Sequence, residues 1–120
     1  ELGDKFIITR GLEKCLYVYS ETEWQRIVNK LKELPFTKKD VRTFIRSFFS
    51  GATTCELDKS GRIVLTANQT EYANISKECV VIGASDRVEI WSQDNWNKEL
   101  NDNEDKLSDL AENLFDGVNL

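Results

Sequence analysis

The chain of 120 residues contains no histidine and no methionine, a single proline and only three cysteines. Without histidine there is no Ser/His or Cys/His catalytic pair, and the usual zinc ligand sets lose a principal member. Cys15, Cys55 and Cys79 are odd in number, widely spaced and set among strand-like apolar residues. That pattern predicts buried free thiols in a reducing compartment, not a disulfide or a metal site. The longest apolar run, Cys79–Ala84, falls far short of the roughly 18 residues of a membrane span. No signal-peptide pattern opens the chain, since Glu1, Asp4 and Lys5 are followed by only three apolar residues. The expected location is cytoplasmic, with no membrane partner and no small-molecule substrate. The missing methionine adds the expectation that this is not a complete primary translation product.

What is present is an ordinary soluble composition, 40% hydrophobic and 31% charged, enough for one compact unit or two closely packed halves. The net charge of −5 is unevenly spread. Residues 1–62 carry 12 Lys/Arg against 9 Asp/Glu, whereas residues 63–120 carry 4 against 12. A basic stretch and an acidic tail are compatible with nucleic-acid binding, because the local field decides where phosphates dock.

The chain matches itself at an offset of 72 residues without a gap. Gly11 falls on Gly83, Ser20 on Ser92 and Trp24 on Trp96, with the β-branched and apolar positions coinciding. Each copy reads as strand, turn, strand and then a helix opening at Ser, with the glycine expected to supply the permissive turn conformation. Ser20 with Glu23 reads as a capping box. The second copy is preceded by a strand over Thr53–Leu57, a turn over Asp58-Lys59-Ser60-Gly61, a returning strand over Arg62–Thr66 and a short helical piece over Ala67–Ala73. The first-repeat counterpart of Asp58 falls before residue 1, so the first repeat is expected to begin about halfway through.

Two helices are predicted between the copies. The first runs from about Ser20 to Leu34 and is ended by Pro35. The second opens at Thr37, where Thr37-Lys38-Lys39-Asp40 fits a capping box, and stops near Gly51. Val41, Phe44, Ile45, Phe48 and Phe49 share one face of it, with Lys38, Lys39, Arg42 and Arg46 largely off that face. Leu107, Leu110, Ala111 and Leu114 form the apolar stripe of an acidic C-terminal helix. The fold class is α+β: two tandem β-hairpin repeats with helices between them and at the C-terminus. The expected boundaries are 1–36, 37–52, 53–97 and 98–120.

Several runs carry a resemblance to the bacterial MraZ family. They are Thr9-Arg10-Gly11-Leu12 with Cys15-Leu16, Thr37-Lys38-Lys39-Asp40, Phe48-Phe49-Ser50-Gly51-Ala52, Glu56-Leu57-Asp58-Lys59 with Gly61-Arg62-Ile63, Tyr72-Ala73, Glu78-Cys79-Val80-Val81-Ile82-Gly83, and Val88-Glu89-Ile90-Trp91 with Trp96. The resemblance implies tandem SpoVT/AbrB-type repeats forming a small barrel. It also implies a nucleoid-associated transcriptional regulator of the division and cell-wall gene cluster, binding promoter direct repeats in double-stranded DNA as a ring-like homo-oligomer. No cofactor and no enzymatic activity are implied. Each family repeat carries an Asp-x-x-x-Arg loop, matched here once, at Asp58 to Arg62. The sequence departs from the family pattern at Thr66-Ala67, where a proline is expected, and at Thr70-Glu71, where Leu-Arg is expected; Glu71 would repel phosphate.

The DNA-binding candidates are Asp58, Lys59 and Arg62, with Arg10, Lys38, Lys39 and Arg42 beside them. Arg62 could present its guanidinium fork to a guanine edge or a phosphate, and Lys59 to a phosphate. The plainer alternative is an Asp–Arg pair that only organises a turn. The helix cations could track DNA, face an acidic neighbouring subunit or simply be solvated. Trp24, Trp91 and Trp96 follow packing periodicity. Asn101, Asn103, Asp105 and Glu112 imitate a calcium loop, but Lys106 stands where glycine is needed. An assembly or adaptor module is the rival reading; an enzyme using Asp58 as a base lacks a second catalytic group.

Overall fold

The computed structural model describes residues 5–114. Five strands form one antiparallel sheet in the order β3-β1-β2-β5-β4. These are β1 Lys5–Arg10, β2 Leu16–Ser20, β3 Thr53–Glu56, β4 Cys79–Ala84 and β5 Arg87–Ser92. The helices are α1 Glu21–Leu31, α2 Lys39–Ser50, α3 Ala67–Tyr72, α4 Gln93–Asn103 and α5 Leu107–Leu114, the last two joined by a 3-10 turn at Glu104–Lys106. Hairpin β1–β2 and hairpin β4–β5 meet through β2 and β5, with Leu16 opposite Ile90 and Val18 opposite Val88.

Period-two alternation divides the strands between two cores. Phe6, Ile8, Leu16, Val18 and Ile90 face one side, under Ile63, Leu65, Ala73 and Ile75. Cys15, Tyr17, Tyr19 and Trp91 face the other, under Trp24, Phe48, Phe49 and Trp96 from the helices. Thr9 also points to this helical side, where its hydroxyl donates to the Phe48 carbonyl at 2.6 Å. The three tryptophans are therefore packing residues: Trp24 stacks on Phe48 at 5.4 Å and Trp91 meets Trp96 edge-on at 5.4 Å.

The repeat is visible in three dimensions. α1 and α4 have bounds that differ by the 72-residue offset at both ends. Ser20 and Ser92 each cap their helix, accepting from Glu23 N at 3.1 Å and Asn95 N at 3.0 Å. Glu23 does not complete a capping box, because its carboxylate pairs with Arg26 instead.

Several expectations are corrected. The sheet is not closed into a barrel, and β3 and β4 are its edges. Residues 62–66 form no returning strand; Ile63 and Leu65 instead lie on the face of the sheet as part of a core. Thr37 does not cap the second helix: its N-cap is Lys38, without a side-chain bond, and Arg42 donates to the carbonyls of Phe36 and Thr37. The first helix ends at Leu31 and turns precede Pro35. Neither aligned glycine supplies a left-handed turn residue; Lys14 and Ser85 do, with φ of 65° and 61°. Gly11 is needed for space, since a Cβ there would lie 2.6 Å from Cys15 Sγ and 2.7 Å from the Tyr17 ring. Of the cysteines only Cys15 is buried; Cys55 is half-buried and Cys79 exposed. Among the described residues no helix is long and apolar enough to cross a membrane.

Candidate nucleic-acid interface

The loop after β3 is built around one carboxylate. Asp58 Oδ1 accepts from the backbone N–H of Ser60 and of Arg62, both at 2.8 Å. The backbone closes the same turn twice, with Asp58 N donating to Arg62 O at 2.8 Å and Gly61 N to Asp58 O at 3.0 Å. Gly61 is the one left-handed glycine among the described residues, φ 76°, where a side chain would be strained. Asp58 is thus the organiser of the turn, as short acidic side chains commonly are.

This leaves Lys59, Ser60 and Arg62 on the outside. Arg62 Nε lies 3.4 Å from Asp58 Oδ2, yet the arginine side chain is 77% exposed. An exposed pair of this kind contributes about 0–1 kcal/mol, so Arg62 can exchange its partner for a phosphate or base edge at small cost. The field around the loop is only weakly positive, since Lys59, Arg62 and Lys5 face Asp58 and Glu56, and Lys5 already lies 3.6 Å from Glu56.

The remaining candidates do not converge on it. β3 runs antiparallel to β1, with Glu56 opposite Lys5, so the loop leaves the sheet beyond Lys5 while Arg10 ends β1 on the other side, roughly 17 Å away at strand spacing. Arg10 packs against Gly51, which a Cβ would bring to 2.8 Å of its Cγ, and its guanidinium lies 5.4 Å from the Tyr72 ring centroid. Lys38 and Lys39 are exposed at the start of α2, with Gly51 and Arg10 at its far end. Arg42 is engaged with the loop carbonyls before that helix.

Tyr72 stands out in the sequence only as part of a motif; its role is structural. Its hydroxyl donates to Gly11 O at 2.6 Å, and both Arg10 and Lys14 approach its ring, Lys14 Nζ at 4.6 Å. Gln69 escapes the sequence reading altogether. It completes a capping box with Thr66 and donates to Ile8 O at 3.3 Å and Thr53 Oγ1 at 2.9 Å. Thr66-x-x-Gln69 fits the capping-box pattern, so the signal for the cap is present in the sequence. These bonds secure the segment after the Asp58 loop to the first hairpin.

The family model described as "MraZ protein, putative antitoxin-like" matches the chain twice, over residues 1–47 and 48–118. The two matches together cover nearly all of the chain and agree with two tandem repeats.

Proposed function

The chain belongs to the MraZ family, whose role is that of a transcriptional regulator and not of an enzyme, and from that premise we propose that it is a sequence-specific regulator of the bacterial division and cell-wall gene cluster. Several copies, assembled as a ring-like oligomer, present their Asp58–Arg62 loops to direct repeats in promoter DNA. The observation that carries this reading is the loop itself: Asp58 is consumed by backbone N–H groups, while Arg62 and Lys59 remain exposed. Arg62 reads a base edge or phosphate, Lys59 adds a phosphate contact, and Asp58 holds both in register. Because each loop is weakly charged, selectivity comes from several loops engaging repeated boxes together, which raises avidity by about 10²–10⁴ when spacing matches. No cofactor takes part.

The test is fluorescence anisotropy with duplex DNA carrying spaced direct repeats and with a scrambled duplex, at low and moderate salt. Selective binding to the repeats is expected. Arg62→Ala should weaken it by about 1–3 kcal/mol per engaged loop and flatten the salt dependence by about one unit of slope per loop. Equal affinity for both duplexes contradicts the proposal.

An adaptor module is the second reading, favoured by the exposed leucines of α5 and the acidic second half. Salt-insensitive oligomers without DNA affinity would support it.

A further inference from the structure

Two surfaces of the molecule have no role in the Asp58 loop. One is a cleft between α1 and α2, about 320 Å³ in volume and lined by Val28, Leu31, Leu34, Phe36, Ile45 and Phe49. Leu34 and Phe36 remain exposed at its edge. Its surroundings are basic: residues 26–46 hold seven Lys/Arg against two Asp/Glu. The other surface is α5. Leu107, Leu110 and Leu114 fall at i, i+3 and i+7, on one face, and are 61%, 44% and 75% exposed. None of the three belongs to either core. The charge here is reversed, with seven Asp/Glu against two Lys over residues 93–114.

We propose that α5 of one copy docks its leucine face into the α1–α2 cleft of a second copy, the acidic flank of the helix meeting the basic rim of the cleft. The two surfaces complement each other in polarity and carry opposite charge. Pairing α5 with another α5 would bury the same leucines but set acidic flank against acidic flank, which is unfavourable. Pairing cleft with cleft fails in the same way with cations. Apolar stripe against apolar cleft supplies the attraction, and the charges supply orientation and rate. Lys32 belongs to the cleft lining itself, within reach of an acidic side chain such as Asp109 or Glu112 once the helix is seated.

The contact is heterologous, since cleft and helix are different surfaces. A pair joined by one contact therefore keeps one unused cleft and one unused helix, and the contact repeats from copy to copy until it closes. It is also small. An eight-residue helix is about 12 Å long and 10 Å across, far from covering the ~1,200 Å² of a standard interface. One contact is weak alone, so assembly depends on concentration and on closure. This inference rests on the assembly part of the proposed function and not on DNA binding.

The experiment is sedimentation velocity of the full chain over a concentration series, with a Leu110→Glu/Leu114→Glu variant and a Leu31→Glu/Ile45→Glu variant, each checked for folding by its thermal transition. Lys32→Glu/Lys39→Glu serves as a milder cleft variant should the second fail to fold. Wild type should self-associate, less strongly as salt rises, and each variant should associate at least tenfold more weakly. The decisive arm mixes the helix variant with a cleft variant. The mixture retains one intact cleft and one intact helix per pair, so it should form heterodimers and nothing larger. Unchanged assembly of the helix variant, or no association in the mixture, overturns the contact while leaving the assembly reading standing. A wild type that stays monomeric at every concentration removes both.

Discussion

The two hairpin–helix units share strand order, helix bounds and a capping serine, yet the first is buried where the second is open. β1 and β2 are buried through most of their length, whereas β4 alternates between exposed and half-buried positions. The equivalent aromatic pairs are kept, Tyr19 with Trp24 at 6.0 Å and Trp91 with Trp96 at 5.4 Å. β1 and β2 lie inside the sheet with Ile63, Leu65 and Ile75 over one face, whereas β4 is an edge; on the other face the difference comes from the helix that succeeds each unit. α2 returns over the first, stacking Phe48 on Trp24 and setting Phe49 edge-on to it, while the second unit continues into α5, whose leucines are exposed. Sequence similarity thus sets local geometry, and neighbours set burial. The same difference leaves the two units with unlike surfaces: the first packs into both cores, and the second carries edge strand β4 and the exposed leucines of α5.

Paired substitutions, one in each unit, put this contrast at risk. The largest effect belongs to the covering layer: Phe48→Ala should cost about 3–5 kcal/mol in urea unfolding, as deletion of a buried aromatic does, and Trp96→Ala distinctly less because Trp96 is only half-buried. Equal costs would mean that α2 is not what distinguishes the units. Next come the aligned glycines, which should respond with opposite sign. Gly11→Ala drives a methyl into Cys15 and Tyr17 and should destabilise by about 1–3 kcal/mol. Gly83→Ala meets nothing within 4 Å and should be neutral or stabilising by about 0.4–1 kcal/mol, through the unfolded chain. Capping should be the point where the units agree. Ser20→Ala and Ser92→Ala should each cost about 1 kcal/mol, measured by thermal unfolding; a large gap between them would show that the matching bonds are not of matching value.

A last effect is confined to alkaline pH and absent at neutrality. Burial pushes the Cys15 thiol up to about 12 from its ordinary 9.0, helped by nearby Glu89, and burial pushes the Tyr19 phenol up to about 12 from 10.0. The unfolded chain loses these protons first. Stability is therefore independent of the two groups below about pH 9 and falls as pH rises from there toward 12. At the 72-residue offset these positions become Arg87 and Trp91, so the sensitivity belongs to the first unit. Cys15→Ala should flatten the dependence of the melting temperature on pH in that window. An unchanged slope would mean that Cys15 does not titrate with unfolding.

Much of this is legible in the residues. Ser20 and Ser92 mark helix starts because a short hydroxyl satisfies an otherwise orphaned N–H, and that rule is local. Asp58 as a turn organiser is readable for the same reason. Gly11 and Gly83 mislead because alignment cannot tell a glycine required by backbone hand from one required by space; only the packed Cys15 and Tyr17 decide it. The alternation at Ile63 and Leu65 reads as a strand, but those side chains cover the sheet face without a ladder partner, and the sheet stays open. Thr37 fits a capping pattern, yet Arg42 reaches back to the carbonyl of Thr37 at 2.9 Å and the helix begins later. Arg10 reads from sequence as a DNA-binding candidate, and its packing on Tyr72 is not legible there because Tyr72 lies far along the chain and on another element.

Affinity as a function of box number bears most closely on DNA reading by an assembly. Anisotropy titrations would compare duplexes of equal length carrying one box or three at regular spacing, for wild type and Arg62→Ala. If exposed loops on an assembly read repeated boxes together, three boxes should bind about 10²-fold or more tighter than one, and most of that gain should vanish with Arg62→Ala. Equal affinity for one box and three, or a gain that survives loss of Arg62, would contradict joint reading by the loops.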